Sequence, residues 1–369
     1  MRIGINLLPL SRNRFGGAEQ YLKNIIRELA DRDGLKLFLF LMNRNRNLFP
    51  EHHRIRKVII SDDRNRSIIY EAIQKCRLDL WFCPLHQSYV PNIPVPTVVT
   101  IHDVLHTFYP EFVPGGLDWN NRYYNKFQST FDAVITVSKF SRTTIIERLH
   151  IPREKVHAIY LDAPQPLYTS PNEIMSAEIK AKYQLPDHYA LYPASFSPHK
   201  NHLSLLKALL LLRDRHHERI PLVLSGYWEE SNPAYQAVIH FIKDHALEAQ
   251  VKILGYIPEK EMPYLYLNCA FLVFPSLHEG FGIPLVEAMI TATPIVCSCE
   301  GSIPEVVGDA ALLFNPHRPE EIAMKMLQGL NSNTRRRLIK KGMERAKAFS
   351  WDKCAQETLH VFRSVLPGS

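Results

Sequence analysis

Cys269-Ala270-Phe271-Leu272-Val273-Phe274-Pro275-Ser276, followed closely by Glu279-Gly280-Phe281-Gly282-Ile283-Pro284-Leu285-Val286-Glu287, is the stretch on which the fold turns. The first run is apolar, of strand length and without alternation, as expected of a strand buried on both faces. A Gly-x-Gly turn comes next, and a helix starts near Ile283. A strand end, a glycine loop that exposes backbone N–H groups and a helix start together make a site for an anionic group. Two carboxylates flank that turn, Glu279 before it and Glu287 inside the helix. They can hold hydroxyls on either side of a bound phosphate. Phosphate and sugar hydroxyls together suggest a nucleotide sugar.

Working outward, strand-like runs alternate with helix-like segments along the whole chain. In the first half, residues 3–8, 35–41, 57–60, 79–83, 97–102, 133–137 and 156–161 read as short buried strands. Ala18, Tyr21, Leu22, Ile25, Ile26 and Leu29 fall on one face of a helix. In the second half, residues 189–194, 222–226, 251–256, 270–275, 294–298 and 311–314 repeat the strand pattern. Such runs, separated by helices, predict parallel sheets covered on both faces. Between the two series, Asp162-Ala163-Pro164-Gln165-Pro166-Leu167-Tyr168-Thr169-Ser170-Pro171-Asn172 carries three prolines and no periodicity, and reads as a linker. The expectation is an α/β protein of two doubly wound, Rossmann-like domains, residues 1–165 and 166–350. They would face a central cleft at the carboxyl ends of their sheets, with a last helix in 351–369 packing back on the first domain.

The 369 residues suffice for two cores, and 46% hydrophobic with 22% charged residues is ordinary for a soluble globular protein. No apolar run reaches the roughly 18 residues that span a bilayer. Met1–Leu10 reads as a first strand and not a signal peptide. Six cysteines, Cys76, Cys83, Cys269, Cys297, Cys299 and Cys354, form no Cys-x-x-Cys pair and read as reduced thiols of a cytosolic protein, without zinc-ligand spacing. The net charge of +7 sits wholly in residues 1–170, which carry 23 Lys+Arg against 16 Asp+Glu. Arg44, Arg46, Arg54, Arg56, Lys57, Arg64 and Arg66 cluster there. A basic half suits an anionic acceptor or an anionic membrane surface, or is simply a solvated face. No nucleic-acid-binding pattern accompanies it.

Further short motifs occur in order: Gly16-Gly17-Ala18-Glu19 after the first strand, Ile101-His102-Asp103, Val137-Ser138-Lys139-Phe140-Ser141, Tyr192-Pro193-Ala194-Ser195-Phe196-Ser197-Pro198-His199-Lys200-Asn201, the Glu-x7-Glu stretch, and Ile303-Pro304-Glu305-Val306. Jointly they make the chain resemble a retaining glycosyltransferase of the GT-B fold, family 4 (glycosyl transferases group 1), and mannosyltransferase-like members in particular. The resemblance implies that Lys200 neutralises the diphosphate of a nucleotide-sugar donor, that Glu287 accepts hydrogen bonds from ribose hydroxyls, and that Glu279 holds hydroxyls of the donor sugar. The N–H groups of Phe281, Gly282 and Ile283 would face the phosphates or sugar. His102 would contact the far side of the sugar. Asp103 could orient His102, or act as a base in an inverting variant. Family members often carry an arginine five residues before the lysine, where this chain has Ser195, which can donate a hydrogen bond but adds no charge.

Several residues keep two readings. Gly16 and Gly17 allow close backbone approach to a diphosphate, or form a plain turn. His86 ends a first-domain strand and could line the acceptor side together with Asp103. His106 reads as structural, Ser138 and Ser141 as a helix cap, and Glu305 as a cap or a ligand contact. The base pocket is placed around Gly255, Tyr256 and Ile257. Glu279 is expected to position the sugar and not to attack it, with substitution on the front face. The resulting expectation is a cytoplasmic hexosyltransferase, peripheral at the inner face of the membrane, moving mannose from GDP-mannose, or a sugar from a UDP donor, to a glycan or lipid-linked acceptor with retention. It would need no cofactor and no metal, with no Asp-x-Asp motif and Lys200 doing the metal's electrostatic work. A nucleotide-sugar epimerase and a catalytically silent sugar-binding scaffold are the rival readings.

Overall fold

The computed structural model describes residues 1–10, 16–63, 65–86, 90, 92–168 and 172–367. Arg64 of the basic cluster, residues 169–171 of the linker stretch and residues 368–369 lie outside them. The chain divides into two compact units, Met1–Leu161 with Ser350–Ser369, and Asp162–Phe349.

In the first unit β1 (Arg2–Asn6), β2 (Lys36–Met42), β3 (Ile55–Ile60), β4 (Leu80–Cys83), β5 (Thr97–Thr100), β6 (Ala133–Thr136) and β7 (Val156–Ala158) form a parallel sheet in the order β3-β2-β1-β4-β5-β6-β7. In the second, β8 (Ala190–Pro193), β9 (Leu222–Ser225), β10 (Val251–Ile253), β11 (Phe271–Phe274), β12 (Ile295–Ser298) and β13 (Ala311–Phe314) do the same in the order β10-β9-β8-β11-β12-β13. Both expected sheets are therefore present. The inner strands are buried at every residue in β4, β5, β6, β9 and β11, which is why their sequences are continuous apolar runs and not alternating ones. Each strand order reverses beside the first strand of its unit, between β1 and β4 and between β8 and β11. Ligands of open α/β sheets bind outside the carboxyl ends of the strands at such a switch point.

The helix Gly17–Ala30 buries Tyr21, Leu22, Ile25, Ile26 and Leu29 as its periodicity requires, whereas Ala18 is exposed. The helix Trp351–Ser364 packs on it, with Phe362 edge-on to Phe82 at 5.0 Å between ring centroids. Gly4 in β1 is demanded by packing: a Cβ there would lie 2.4 Å from Leu78 and 2.6 Å from the ring of Trp81. The linker stretch is not wholly irregular. Gln165–Tyr168 forms a helical turn, because proline in a first helical turn forfeits no hydrogen bond. Tyr168 is buried against Tyr266 at 6.0 Å.

The basic cluster has a structural use. Arg56 and Lys57 lie on β3, the edge strand, and Lys57 pairs with Glu51 at 2.7 Å while Arg54 pairs with Asp33. Charged side chains on an edge strand discourage pairing with another chain. Arg44, Arg46, Arg56 and Arg66 are exposed. No helix among the described residues is long and apolar enough to cross a membrane.

Candidate active site

Lys200 follows β8 and Glu279 follows β11, so the strand order alone brings both to the switch point of the second sheet. Lys200 Nζ lies 2.6 Å from Glu279 Oε1, with the two side chains only 18% and 11% exposed. The backbone on either side of the pair is fixed. The Tyr192 hydroxyl donates to the Lys200 carbonyl at 2.7 Å and lies 3.0 Å from Ser276 Oγ. Asn201, at φ +58°, donates to the Pro275 and Pro316 carbonyls at 3.1 and 2.8 Å. The Leu277 N–H donates to the His199 carbonyl at 2.8 Å, so the two loops are tied together. Across the site, Ser302 Oγ donates to the Glu279 carbonyl at 2.9 Å. Gly301, at φ +64°, lets that backbone approach closely: a Cβ there would meet Glu279 N at 3.2 Å.

Gly282 caps the helix Ile283–Ile290 at φ +97°, in the left-handed region glycine favours. The first N–H groups of that helix have no intrahelical carbonyl to bond. Phe281 turns its side chain inward, edge-on to Phe349 at 5.6 Å, and so offers the site only its backbone. Glu287 is 4% exposed, and its Oε2 accepts from the Tyr266 hydroxyl at 2.6 Å. It is no solvated helix residue. Burial and the Glu287 charge push the Tyr168 and Tyr266 phenols well above their ordinary pKa, so both stay protonated; Tyr266 donates to the carboxylate, whereas the buried Tyr168 hydroxyl has no hydrogen-bond partner among the described residues.

Ser195 lies at the ends of the neighbouring strands. Gly226, at φ +148°, allows β9 to approach it: a Cβ at Gly226 would lie 2.4 Å from the Ala194 carbonyl oxygen and 2.9 Å from Ser195 N. Gly226 N–H donates to the Gly255 carbonyl at 2.8 Å. Tyr256 next to it is 48% exposed, whereas the Ile257 side chain is buried and can contribute only backbone.

In the first unit, His102 follows β5 and is 9% exposed, and neither ring nitrogen has a hydrogen-bond partner among the described residues. Burial, then the neighbouring His86, pulls its pKa down to about 3, so the ring is neutral. Tyr21 stands edge-on to it at 5.0 Å and shares a 3.1 Å hydrogen bond with Thr100. His86, at φ +60°, packs its ring 4.8 Å from that of His102. Asp103 accepts from Leu105 N–H at 3.0 Å through Oδ1, which fixes the turn after β5. His106 stacks on Tyr124 at 5.6 Å and bonds Asn121 at 3.2 Å, in keeping with a structural part. Ser138 accepts from Ser141 N–H at 3.0 Å and caps its helix. Gly16 is extended at φ −173°, and a Cβ there meets no atom of the described residues within 4 Å. The backbone of the turn therefore does not itself require a glycine at that position.

The expectation that no Asp-x-Asp is present needs correction: Asp31-Arg32-Asp33 is one. It closes the helix Gly17–Ala30 just before β2 begins, at the amino ends of the parallel strands, whereas His102 follows β5 at their carboxyl ends. There Arg32 pairs with Asp352, Asp33 with Arg54, and Asp31 faces His52 at 3.5 Å. Sequence reasoning missed Tyr192, Tyr266, Gly226 and Ser302, whose parts depend on contacts from distant segments.

The fold is that of a GT-B glycosyltransferase. The family model "Glycosyl transferases group 1" matches residues 175–345, and "Glycosyltransferase Family 4" matches residues 15–161. O-antigen chain mannosyltransferase B of Escherichia coli is 33% identical over 319 residues, which cover 81% of this chain and 81% of that protein. The serotype-specific mannosyltransferase WbdA of Escherichia coli is 29% identical over 285 residues, 75% of this chain but 34% of WbdA. Among solved structures, Anabaena Alr3699/HepE in complex with UDP-glucose superposes with a TM-score of 0.80 at 20% identity, over 99% of this chain and 100% of its own. A glycosyltransferase from Rickettsia africae ESF-5 does so with a TM-score of 0.79 at 17% identity, over 100% and 99%. These last two establish likeness of fold. The chain belongs to the glycosyl transferases group 1, family 4, and is a glycosyltransferase.

Proposed function

We propose that the protein transfers a hexose, with mannose first, from a nucleoside-diphosphate sugar to a glycan or lipid-linked acceptor, with retention of anomeric configuration. The pairing of Lys200 with Glu279 at the switch point of the second sheet, with Glu287 buried in the helix that follows the glycine turn, is the observation that carries this. The departing diphosphate gains charge as its bond to the sugar breaks, so a fixed ammonium lowers the barrier more than it tightens ground-state binding. Glu287 takes the ribose hydroxyls and Glu279 those of the donor sugar. A carboxylate bonded to Lys200 is a weakened nucleophile, which favours positioning by Glu279 and substitution on the front face. The neutral, unbonded ring of His102 suits one hydrogen bond with a sugar hydroxyl. Lys200 supplies the charge that a divalent ion would otherwise bring, so no metal is required.

Similarity to O-antigen chain mannosyltransferase B supports mannose as the sugar transferred, and GDP-mannose is our first choice of donor. The UDP-glucose complex of Alr3699/HepE supports a nucleotide-sugar donor generally and keeps a UDP-sugar second. Thermal unfolding with GDP-mannose, UDP-glucose, UDP-N-acetylglucosamine, GDP and UDP, in the presence of chelator, tests the donor. A ligand at about 100 times its dissociation constant adds about 2.7 kcal/mol of stability. Selective stabilisation by one nucleotide family is expected, and no response to any of the five would sink the reading. Lys200→Ala should lower turnover by orders of magnitude, an effect a silent scaffold would not show. An inverted anomer in the product would refute retention. Activity that a chelator abolishes and a divalent ion restores would refute metal independence. We also place the protein in the cytoplasm, against an anionic membrane surface, on the strength of its basic first half. Equal flotation with anionic and neutral vesicles would remove that.

A further inference from the structure

We infer that Glu279 makes this site select sugar-loaded donors against bare nucleoside diphosphates, by holding Lys200 until hydroxyl donors replace it. The inference rests on the donor reading above and deepens it. The 2.6 Å pair of Lys200 and Glu279 is mostly shielded from water, and both backbones are tied down, by the Tyr192 hydroxyl and by Ser302. It is therefore a fixed pair and not a passing contact of two flexible surface chains. A diphosphate arriving at Lys200 competes with the carboxylate for the same ammonium. It also places further negative charge beside Glu279, where poor solvation leaves the repulsion less screened than in water.

A carboxylate stripped of its partner in such a place is costly unless other donors satisfy it. Its two oxygens can accept several hydrogen bonds, and a hexose offers neutral hydroxyls that bring no opposing charge. A bare nucleoside diphosphate offers none at that position. Ser195, five residues before Lys200, adds no second cation that could hold Glu279 while Lys200 turns to the phosphate. Discrimination thus comes from a penalty on the wrong ligand and not from extra attraction to the right one. It also keeps the spent nucleoside diphosphate from lingering in the site.

Calorimetric titration of the full chain with GDP, GDP-mannose, UDP and UDP-glucose tests this, comparing wild type with Glu279→Gln and Ser195→Arg. For the nucleotide that binds, wild type should prefer the sugar-loaded form by about tenfold or more, and Glu279→Gln should bind the bare diphosphate about tenfold tighter than wild type does. The preference should shrink to within about threefold in Glu279→Gln. Ser195→Arg, which keeps the pair but adds a cation, should also tighten binding of the bare diphosphate. If Glu279→Gln does not fold, judged by its unfolding without ligand, the Ser195→Arg result decides alone. Bare-diphosphate affinity that is unchanged or weaker in the folded variants would mean that Lys200 serves carboxylate and phosphate together, and overturns the inference while leaving the donor reading intact. Wild type that binds none of the four ligands overturns both.

Discussion

Glu287 shows how a single carboxylate is set up for a task. Its position eight residues after Glu279 was legible in the sequence, because spacing across a glycine turn is a local property. Its partner was not, because Tyr266 lies in the helix Met262–Asn268, where its spacing reads only as a core face. Tyr266→Phe removes a hydrogen bond to a charged group, a loss of about 1.5–3 kcal/mol. Urea unfolding should show that loss. Titration should show weaker discrimination of ribo- from 2′-deoxyribonucleotides, if Glu287 holds the ribose. Unaltered discrimination with the expected stability loss would leave Tyr266 a purely structural partner. His102 and His202 invite a test by pH. Both are buried, and burial holds each near a pKa of about 3, below the ordinary value of 6.5. The unfolded chain therefore binds protons that the native one refuses. The stability each contributes is complete above pH 6.5 and drains away as pH falls toward 3, at about 1.4 kcal/mol per pH unit for each histidine. Going from pH 7 to 5, wild type should lose about 2 kcal/mol more than His102→Gln does in its own unit. Equal losses would mean that His102 titrates normally.

At the scale of elements, the parallel strands were legible because burial on both faces writes them as uninterrupted apolar runs. The helical turn Gln165–Tyr168 was not, since three prolines in eleven residues look like a linker until Tyr168 is seen to be buried against Tyr266. Glycine at 282 was legible as a turn. The need for glycine at 226 was hidden, because it comes from the approach of Ala194 and Ser195 on another strand. The two glycines therefore make a graded prediction. Gly282→Ala introduces a Cβ 2.9 Å from the movable Leu285 Cδ1 at φ +97°. The left-handed backbone costs about 1–2 kcal/mol and the leucine end can yield. Gly226→Ala brings its Cβ to 2.4 Å from a carbonyl oxygen of the backbone, which cannot yield without moving β8. Thermal unfolding should rank Gly226→Ala well below Gly282→Ala. Nucleotide affinity should fall more in the former, because the strand that must move leads into Lys200. The reverse ranking would show that the β8–β9 loops are more pliant than their packing indicates.

For the molecule as a whole, the chain crosses from one unit to the other at Leu161 and returns at Ser350, so the first unit is completed only by residues that follow the whole of the second. The returning helix Trp351–Ser364 begins at Ser350, whose hydroxyl accepts from Lys353 N–H at 3.3 Å. It buries Trp351, Cys354, Ala355, Leu359, Val361 and Phe362 in that unit. The same helix covers Tyr21, which stands against His102. Burying one large apolar side chain is worth about 1.5–3 kcal/mol. Losing four of them at once approaches the 5–15 kcal/mol that typically holds a whole domain together, on the order of its entire margin. A chain ending at Phe349 should therefore leave the first unit without a stable fold while Asp162–Phe349, whose sheet and core are its own, stays folded. Hydrogen exchange read by mass spectrometry would show it: protection lost across β1 to β7 and kept across β8 to β13. The truncated chain should still gain stability from the nucleotide, because Lys200, Glu279 and Glu287 all belong to the second unit, yet transfer no sugar. Phe362→Ala is the milder version, with a cost of about 3–5 kcal/mol confined to the first unit. If truncation instead erased protection in both units together, the two would fold as one cooperative body, and the division at Leu161 and Ser350 would describe the path of the chain and not its energetics.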